Sequence, residues 1–448
     1  HLLIPATSSG LYLCRLLLSA AILNYPTPVL INWEGKGEFD ASISHLAKVR
    51  GLAKHLDSFP PERDQDLVLI IDGFDVWLQL RPEVMIQRYY ATIHEHKERL
   101  EARFGREAIE KHNFKDTLIF GSDKTCWPPD WWRPACWAVP ESTIPLNALG
   151  PKTDVAIDGH TFMHVRPRWL NSGTVIGPVK DMRRMMNATL DFISKTYKED
   201  HGAKNSDQMY MADLWGIQEY ARSLKDLDDS ALSRGPLDRR IPELPAGQET
   251  EYHISVDYES KMFQTNAGMK DFTAWMKHDL DDWSAPGEQQ VAFQPYNVRL
   301  QADVANSRGP FAAGKMGKAE DNRLPVNMSW KDVPLGFNSI TDQIFPLLHM
   351  TGNKAYIDLW WNRLWFHPHS EELLKASKAM PKGPVVKTED GRSWLMAEEP
   401  GAKMALEKAS NGEDGKGGVW SDQGQWLAWN KLCSAVDQDQ LFLKEASG

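Results

Sequence analysis

Asp66-Leu67-Val68-Leu69-Ile70-Ile71-Asp72-Gly73-Phe74-Asp75-Val76-Trp77 decides the fold class. An unbroken apolar run from Leu67 to Ile71, bounded by aspartates, is the pattern of a strand covered on both faces. Such coverage belongs to parallel sheets packed between helices. The same alternation continues on either side. Leu2 to Ala6 reads as a strand, followed by a Thr-Ser-Ser-Gly turn and a helix from Leu11. Pro28 to Asn32 reads as a second strand and Ile43 to Leu56 as a second helix. Downstream, Pro82 to Leu100 is a long helix with proline at its start. Thr117 to Gly121 is a further strand. This repetition predicts a doubly wound α/β sheet with ligands beyond the carboxyl ends of its strands.

Beyond Gly121 the pattern loosens. Cys126 to Pro151 is a loop rich in Trp and Pro. Trp169 to Gly177 reads as an Asn-Ser-Gly turn running into a strand, with helices over Val179–Tyr197 and Asn205–Tyr220. Ser223 to Glu251 is a polar surface excursion. Short strands follow near Tyr252 to Val256 and Lys261 to Gln264. Pro286 to Asn338 reads as an insertion, mostly loop. The tail from Ser370 carries a Gly/Lys/Asp-rich stretch at Ser410 to Gly418 and ends in a Trp-rich helix from Ser421. No internal repeat is present.

Composition narrows the function. Over 448 residues, 42% are hydrophobic and 25% charged, which excludes wholesale disorder. Acidic residues outnumber basic ones, 61 to 51, for a net charge of -10. That argues against nucleic acid as the main partner. An anionic substrate would need local screening, and a metal is the obvious means. The 18 Trp are an unusually large number, and indole suits sugar rings and bases as well as cores. The 4 Cys show no zinc spacing. Cys126 and Cys136 form either a disulfide, in an oxidising compartment, or two reduced buried thiols. Leu11 to Tyr25 is short and interrupted by Arg15, so it reads as a buried helix rather than a membrane span. The chain opens at His1 rather than Met and reads as trimmed, with a signal or anchor removed. The sequons at Asn187 and Asn327 are no more than chance supplies.

Asp72 and Asp75 stand just past the buried strand, where they either converge on one divalent cation or cap the strand through an Asx turn. Other motifs follow: Phe120-Gly-Ser-Asp123-Lys-Thr-Cys126-Trp127-Pro128, Trp169-Leu-Asn171-Ser172-Gly173-Thr-Val-Ile-Gly177 and Asn205-Ser206-Asp207-Gln208. Then come Val256-Asp257 with Met262-Phe263-Gln264, and Leu348-His349-Met-Thr-Gly352-Asn353-Lys354. In this order they resemble the glycosyltransferase domain of procollagen lysyl hydroxylases and its relatives. The resemblance covers most of residues 1–270 and a short stretch around His349. The iron-binding His-x-Asp pattern of the hydroxylase domain is absent. The segments 223–251 and 286–338 and the tail have no counterpart.

The resemblance implies a GT-A fold, which is α/β and Rossmann-like, with a mostly parallel sheet flanked by helices. Loop insertions and a helical C-terminal extension complete it, with a catalytic domain over 1–366 and the extension over 367–448. It implies a UDP-sugar donor and Mn²⁺ held by Asp72, Asp75 and His349. Carboxylates with imidazole suit such an ion. It places Thr7, Trp33 and Phe74 at the nucleotide and Trp127 near the sugar. Lys354 either pairs with a phosphate or is a solvated surface lysine. Trp131, Trp132 and Trp137 either extend the stacking platform or belong to a loop folded on itself. Asp207 matches an acid before glutamine, although the family's Asp-rich run is reduced here to Asn-Ser-Asp-Gln. Its expected role is to assist acceptor deprotonation or steady an oxocarbenium-like transition state; the alternative is a helix-opening carboxylate. Asn171 and Gly173 would shape the acceptor wall. The expected function is transfer of a hexose, glucose or galactose, from a UDP-sugar to a hydroxyl on a protein or glycan. A non-catalytic sugar-nucleotide or glycan-binding domain of the same fold is the alternative. The expected location is the Golgi or endoplasmic reticulum lumen, with a type II anchor preceding His1 as the sole membrane contact.

Overall fold

A computed structural model describes residues 1–155, 161–226, 236, 238–278, 298–315, 324–325, 327–377, 384–388, 390–396 and 417–442. The strands are β1 (Leu2–Pro5), β2 (Val29–Ile31), β3 (Leu67–Ile71), β4 (Val76–Leu78), β5 (Leu118–Asp123), β6 (Trp169–Pro178), β7 (Ile254–Asp257) and β8 (Phe263–Thr265). They continue as β9 (Thr273–Met276), β10 (Leu335–Asn338), β11 (Gln343–Ile344), β12 (Leu347–His349), β13 (Val386–Lys387), β14 (Ser393–Trp394), β15 (Gly418–Ser421) and β16 (Trp426–Ala428). The principal helices are α1 (Leu11–Ile22), α2 (Leu46–Asp57), α3 (Pro82–Phe104), α4 (Arg106–His112), α5 (Pro134–Trp137), α6 (Val179–Thr196) and α7 (Asp207–Ser223). The architecture is mixed α/β, with a mostly parallel central sheet flanked by helices, compatible with a Rossmann-like fold. Two compact units make up the chain. One comprises His1–Trp33, Ile71–Arg88 and Met269–Gly448, and the other Glu34–Ile70 and Tyr89–Gly268.

In the first unit the strand order is β16-β15-β2-β1. β2 runs parallel to both β1 and β15, while β16 is antiparallel to β15. Helix α1 is apolar on nearly every side and packs against β4. Its one interruption, Arg15, is buried and ion-paired with Asp358 at 2.6 Å. A small sheet, β11-β10-β9, falls partly inside the segment read as mostly loop. Glycine at the centre of β10 hides the strand pattern, but the packing requires it. A Cβ on Gly336 would lie 2.8 Å from the Phe345 ring and 2.9 Å from the Trp275 indole nitrogen.

The tail differs from expectation. From Gly418 to Ala428 it is a hairpin, not a helix, and only then do short helices Trp429–Leu432 and Ala435–Leu441 follow. Trp420 lies directly opposite Trp426, with ring centroids 5.1 Å apart, a cross-strand aromatic pair of the kind that stabilises hairpins. Of the Gly/Lys/Asp-rich stretch, residues 410–416 lie outside the described residues.

In the second unit the order is β3-β6-β5-β7, with β5 parallel to β7 and antiparallel to β6. Helix α6 buries Met182, Met185, Met186, Thr189 and Ile193, a helical stripe, and packs on α2 and α7. The Asn-Ser-Gly segment is not a turn ahead of a strand. It lies within β6, where the register jumps from Phe120↔Val175 to Gly121↔Asn171 and pushes Ser172–Thr174 out as a bulge. Gly121 makes room for it: a Cβ there would lie 2.6 Å from the Thr174 hydroxyl. Bulges commonly re-aim side chains beside functional sites. Of the polar excursion after Ser223, residues 227–235 and 237 lie outside the described residues, as do 279–297, 316–323 and 326 of the later loop region.

All four cysteines are paired, Cys126 with Cys136 and Cys14 with Cys433. The second bond ties α1 to the chain's far end. No described helix is long and apolar enough to cross a membrane. The two bonds close loops of very different length, with sequence separations of 419 and 10 residues. On chain-entropy grounds, Cys14→Ser/Cys433→Ser should cost roughly 3 kcal/mol more stability than Cys126→Ser/Cys136→Ser. Calorimetry of both variants checks this; equal losses would show that loop length does not govern the effect.

Candidate functional site

The buried strand β3 ends at Ile71, the residue at which the first unit resumes, and the chain turns through Asp72-Gly-Phe-Asp75 into β4. β12 lies antiparallel to β4 with His349 opposite Val76, and the Met350 amide donates to the Asp75 carbonyl at 2.7 Å. Backbone pairing therefore seats a distant histidine beside the aspartates. His349 Nε2 stands 3.4 Å from Asp75 Oδ1 and 3.9 Å from Asp72 Oδ2. All three candidate ligand atoms lie within 4.8 Å of one another. His349 is buried, and both aspartates are half-buried.

Gly73 makes the turn possible. A Cβ there would lie 2.8 Å from the Pro5 carbonyl oxygen and 3.3 Å from Ala6 Cβ, so the acidic turn rests on the end of β1. Thr7 follows directly in the chain and is half-buried. Phe74, between the aspartates, is 40% exposed, while Trp33, just past β2, is buried.

The electrostatics keep Asp75 charged. Burial pushes its carboxyl up, but His349 and Lys354 outweigh that and hold it well below the usual carboxylate range. Its two oxygens are divided: Oδ1 faces His349, and Oδ2 pairs with the Lys354 ammonium, which also donates to the Met350 carbonyl. His349 Nδ1 is buried with no hydrogen-bond partner among the described residues, and Nε2 is the ring nitrogen that faces the two carboxylates. Two carboxylates and one imidazole suit a divalent cation that keeps other positions open. Octahedral bonds of about 2.1 Å place neighbouring ligands about 3 Å apart, so separations of 3.4 and 3.9 Å need only slight closure.

The second unit gathers another polar cluster. Asp207 opens α7, but the cap itself is Ser206, which accepts from the Met209 amide. Asp207 is buried and ion-paired at 3.1 Å with Lys48 of α2, itself buried. Burial raises the Asp207 carboxyl; Lys48, with help from Ser172, outweighs it and leaves the group below its ordinary range. Lys48 also donates to the Ser172 carbonyl at 2.8 Å, and the Ser172 amide donates to Gln208 at 3.4 Å. The β6 bulge is thus tied to α2 and α7. Asn171 is buried, donating to Asp123 at 3.3 Å and accepting from the Gly173 amide at 2.9 Å. Its side chain holds the bulge.

Trp127, Trp131 and Trp132 are 48%, 46% and 42% exposed, whereas Trp137 is buried against Tyr220 and does not extend that surface. Most of the remaining tryptophans with a described position are core residues.

The structure therefore brings Asp72, Asp75, His349 and Lys354 together, and Thr7 is the next residue after Ala6, against which that turn rests. Asp207 and Asn171 meet through the bulge in the other unit. Lys48 and Gly73 escaped the sequence reading. Lys48 sits in a helix whose other lysine, Lys54, is exposed, so its pattern is that of a solvated face. Gly73 carried a signal in the Asp-Gly pair, read only as turn chemistry. The chain matches no model of a known protein family and no curated protein.

Asp207→Ala would leave the Lys48 ammonium buried without its carboxylate, and should cost about 3–5 kcal/mol of stability. Lys48→Met with Asp207→Leu should recover most of that loss in urea unfolding. A double variant no better than Asp207→Ala would show that the pair's value lies outside charge balance.

Proposed function

We propose that the chain is a Mn²⁺-dependent glycosyltransferase of the GT-A type, moving a hexose, glucose or galactose, from a UDP-sugar to a hydroxyl on a protein or glycan. The observation that carries the reading is the convergence of Asp72, Asp75 and His349 at the carboxyl end of a buried strand. That is where ligands sit in open α/β sheets. The ordered motifs resembling the lysyl hydroxylase glycosyltransferase domain supply the reaction class.

Asp72, Asp75 and His349 would hold the metal, which when bound offsets the negative charge growing on the departing diphosphate. Lys354 brings a second positive charge to the same turn and suits a phosphate oxygen. The exposed ring of Phe74 offers a face to the base, and Thr7 and Trp33 follow the ends of β1 and β2. Asp207 is assigned to the acceptor side, where Lys48 keeps it anionic. Trp127 is assigned to the sugar. The paired cysteines favour an oxidising compartment and support a secretory-lumen enzyme.

The burial of Asp207 against Lys48 also favours a second reading, a domain that binds the nucleotide sugar without turning it over. UDP release from a panel of UDP-sugars, with Mn²⁺ or with EDTA, separates the two. Release with one sugar, abolished by EDTA and lowered at least about a hundredfold by Asp75→Ala, is the expected result. Mn²⁺-dependent UDP binding without release across an acceptor screen would favour the binding domain. Absence of UDP binding would overturn both.

A further inference from the structure

The C-terminal segment from Gly418 to Cys433 has no place in the proposed site so far, yet it touches both turns assigned to the nucleotide, its hairpin reaching the turn after β2 and Leu432 the turn after β1. β15 adds to β2 in parallel, with Trp420 opposite Val29 and Ser421 opposite Leu30. Parallel strands leave a sheet at the same edge, so the turn after β15 emerges beside the turn after β2. The Asp422 amide donates to the Leu30 carbonyl at 2.9 Å. The Asp422 carboxylate then accepts from the Asn32 amide at 2.8 Å, and the Gln423 side-chain amide donates to the Trp33 carbonyl at 3.5 Å.

Asn32 is buried and left-handed, with φ of +62°, a conformation that asparagine is among the few residues besides glycine to adopt readily. Trp33 takes its direction from that residue. The backbone amide of Asn32 faces the tail strand and is met there by a charged acceptor, the Asp422 carboxylate. The second tie lies at the β1 turn. The Ser9 hydroxyl donates to the Leu432 carbonyl, and Cys433 is bonded to Cys14. One C-terminal segment therefore fastens the turn that follows Thr7 and the turn that carries Trp33.

Covering a sheet edge requires only a ladder of backbone bonds, which β15 already makes. A side-chain carboxylate on the amide of a left-handed residue is a further, specific device. We infer that the hairpin is a working wall of the nucleotide site, and that Asp422 is a positioning residue that holds the Asn32–Trp33 turn in its nucleotide-binding conformation. This rests on the reading that the site takes a UDP-sugar. Asp422 acts through Asn32 and Trp33 rather than on the reacting atoms, so it governs donor affinity and leaves the chemical step alone.

The test is calorimetric binding of Mn²⁺ alone and of UDP with Mn²⁺ to the full chain, with donor KM and kcat measured alongside. Asp422→Ala should weaken UDP binding about ten- to a hundredfold, as loss of a charge-assisted hydrogen bond at the site would. Donor KM should rise in step, with kcat and the affinity for Mn²⁺ alone unchanged. Asp422→Asn, which keeps an acceptor oxygen, should restore most of the affinity. Should Asp422→Ala fold poorly, Gln423→Ala, on the exposed side of the turn, should show the same KM-only pattern more weakly. If wild type binds UDP and both variants bind it equally well, or if kcat and Mn²⁺ affinity fall together with UDP affinity, the positioning role is overturned. If wild type itself fails to bind UDP, the functional reading fails, not the link between the tail and the turn.

Discussion

The short antiparallel ladder between β4 and β12 is what everything proposed for the metal depends on. Its register sets His349 against Val76, so the imidazole has one place to go, next to Asp75. The strand before it, β3, is buried along its whole length and cannot slide without exposing apolar residues. Gly73 then lets the acidic turn lie on the end of β1, where any side chain would strike backbone. Three donors from two distant parts of the sequence are thereby held close before any ion arrives, which lowers the ordering cost of binding one.

The same logic extends to the chain's end. The parallel strand β15 delivers Asp422 to the turn after β2, and a disulfide just past the neighbouring short helix anchors it to α1. The tail shares a unit with Thr7, Trp33, Asp72, Asp75 and His349. Its contribution is conformational. In the proposed site it fixes where two turns stand, whereas the acidic turn and His349 offer the candidate ligand atoms.

Local chemistry was legible in the sequence wherever it was strong. Leu67–Ile71 could hardly be anything but a buried strand, and the aspartates after it could not share the core. Periodicity also placed α1, α3, α6 and α7 close to their observed bounds. What failed was what depends on distant partners. The Asn-Ser-Gly segment reads as a turn because only the pairing with β5 reveals a bulge. The tail reads as helical because its tryptophans fit a helical spacing as well as a hairpin, and only the Trp420–Trp426 pair decides between them. Lys48 has no local signal, since its burial is created by α7 and the bulge rather than by α2. The Cys14–Cys433 bond likewise links the two ends of the sequence, where spacing carries no information.

The most direct test of the account is a crystal structure grown with manganese and UDP, measured for anomalous scattering. It should show one strong peak ligated by Asp72, Asp75 and His349 Nε2 at about 2.1–2.3 Å, with diphosphate oxygens completing the coordination. Lys354 should have turned from Asp75 towards the phosphates. A metal peak bound elsewhere, or a fully occupied nucleotide with no metal among these three side chains, would contradict it.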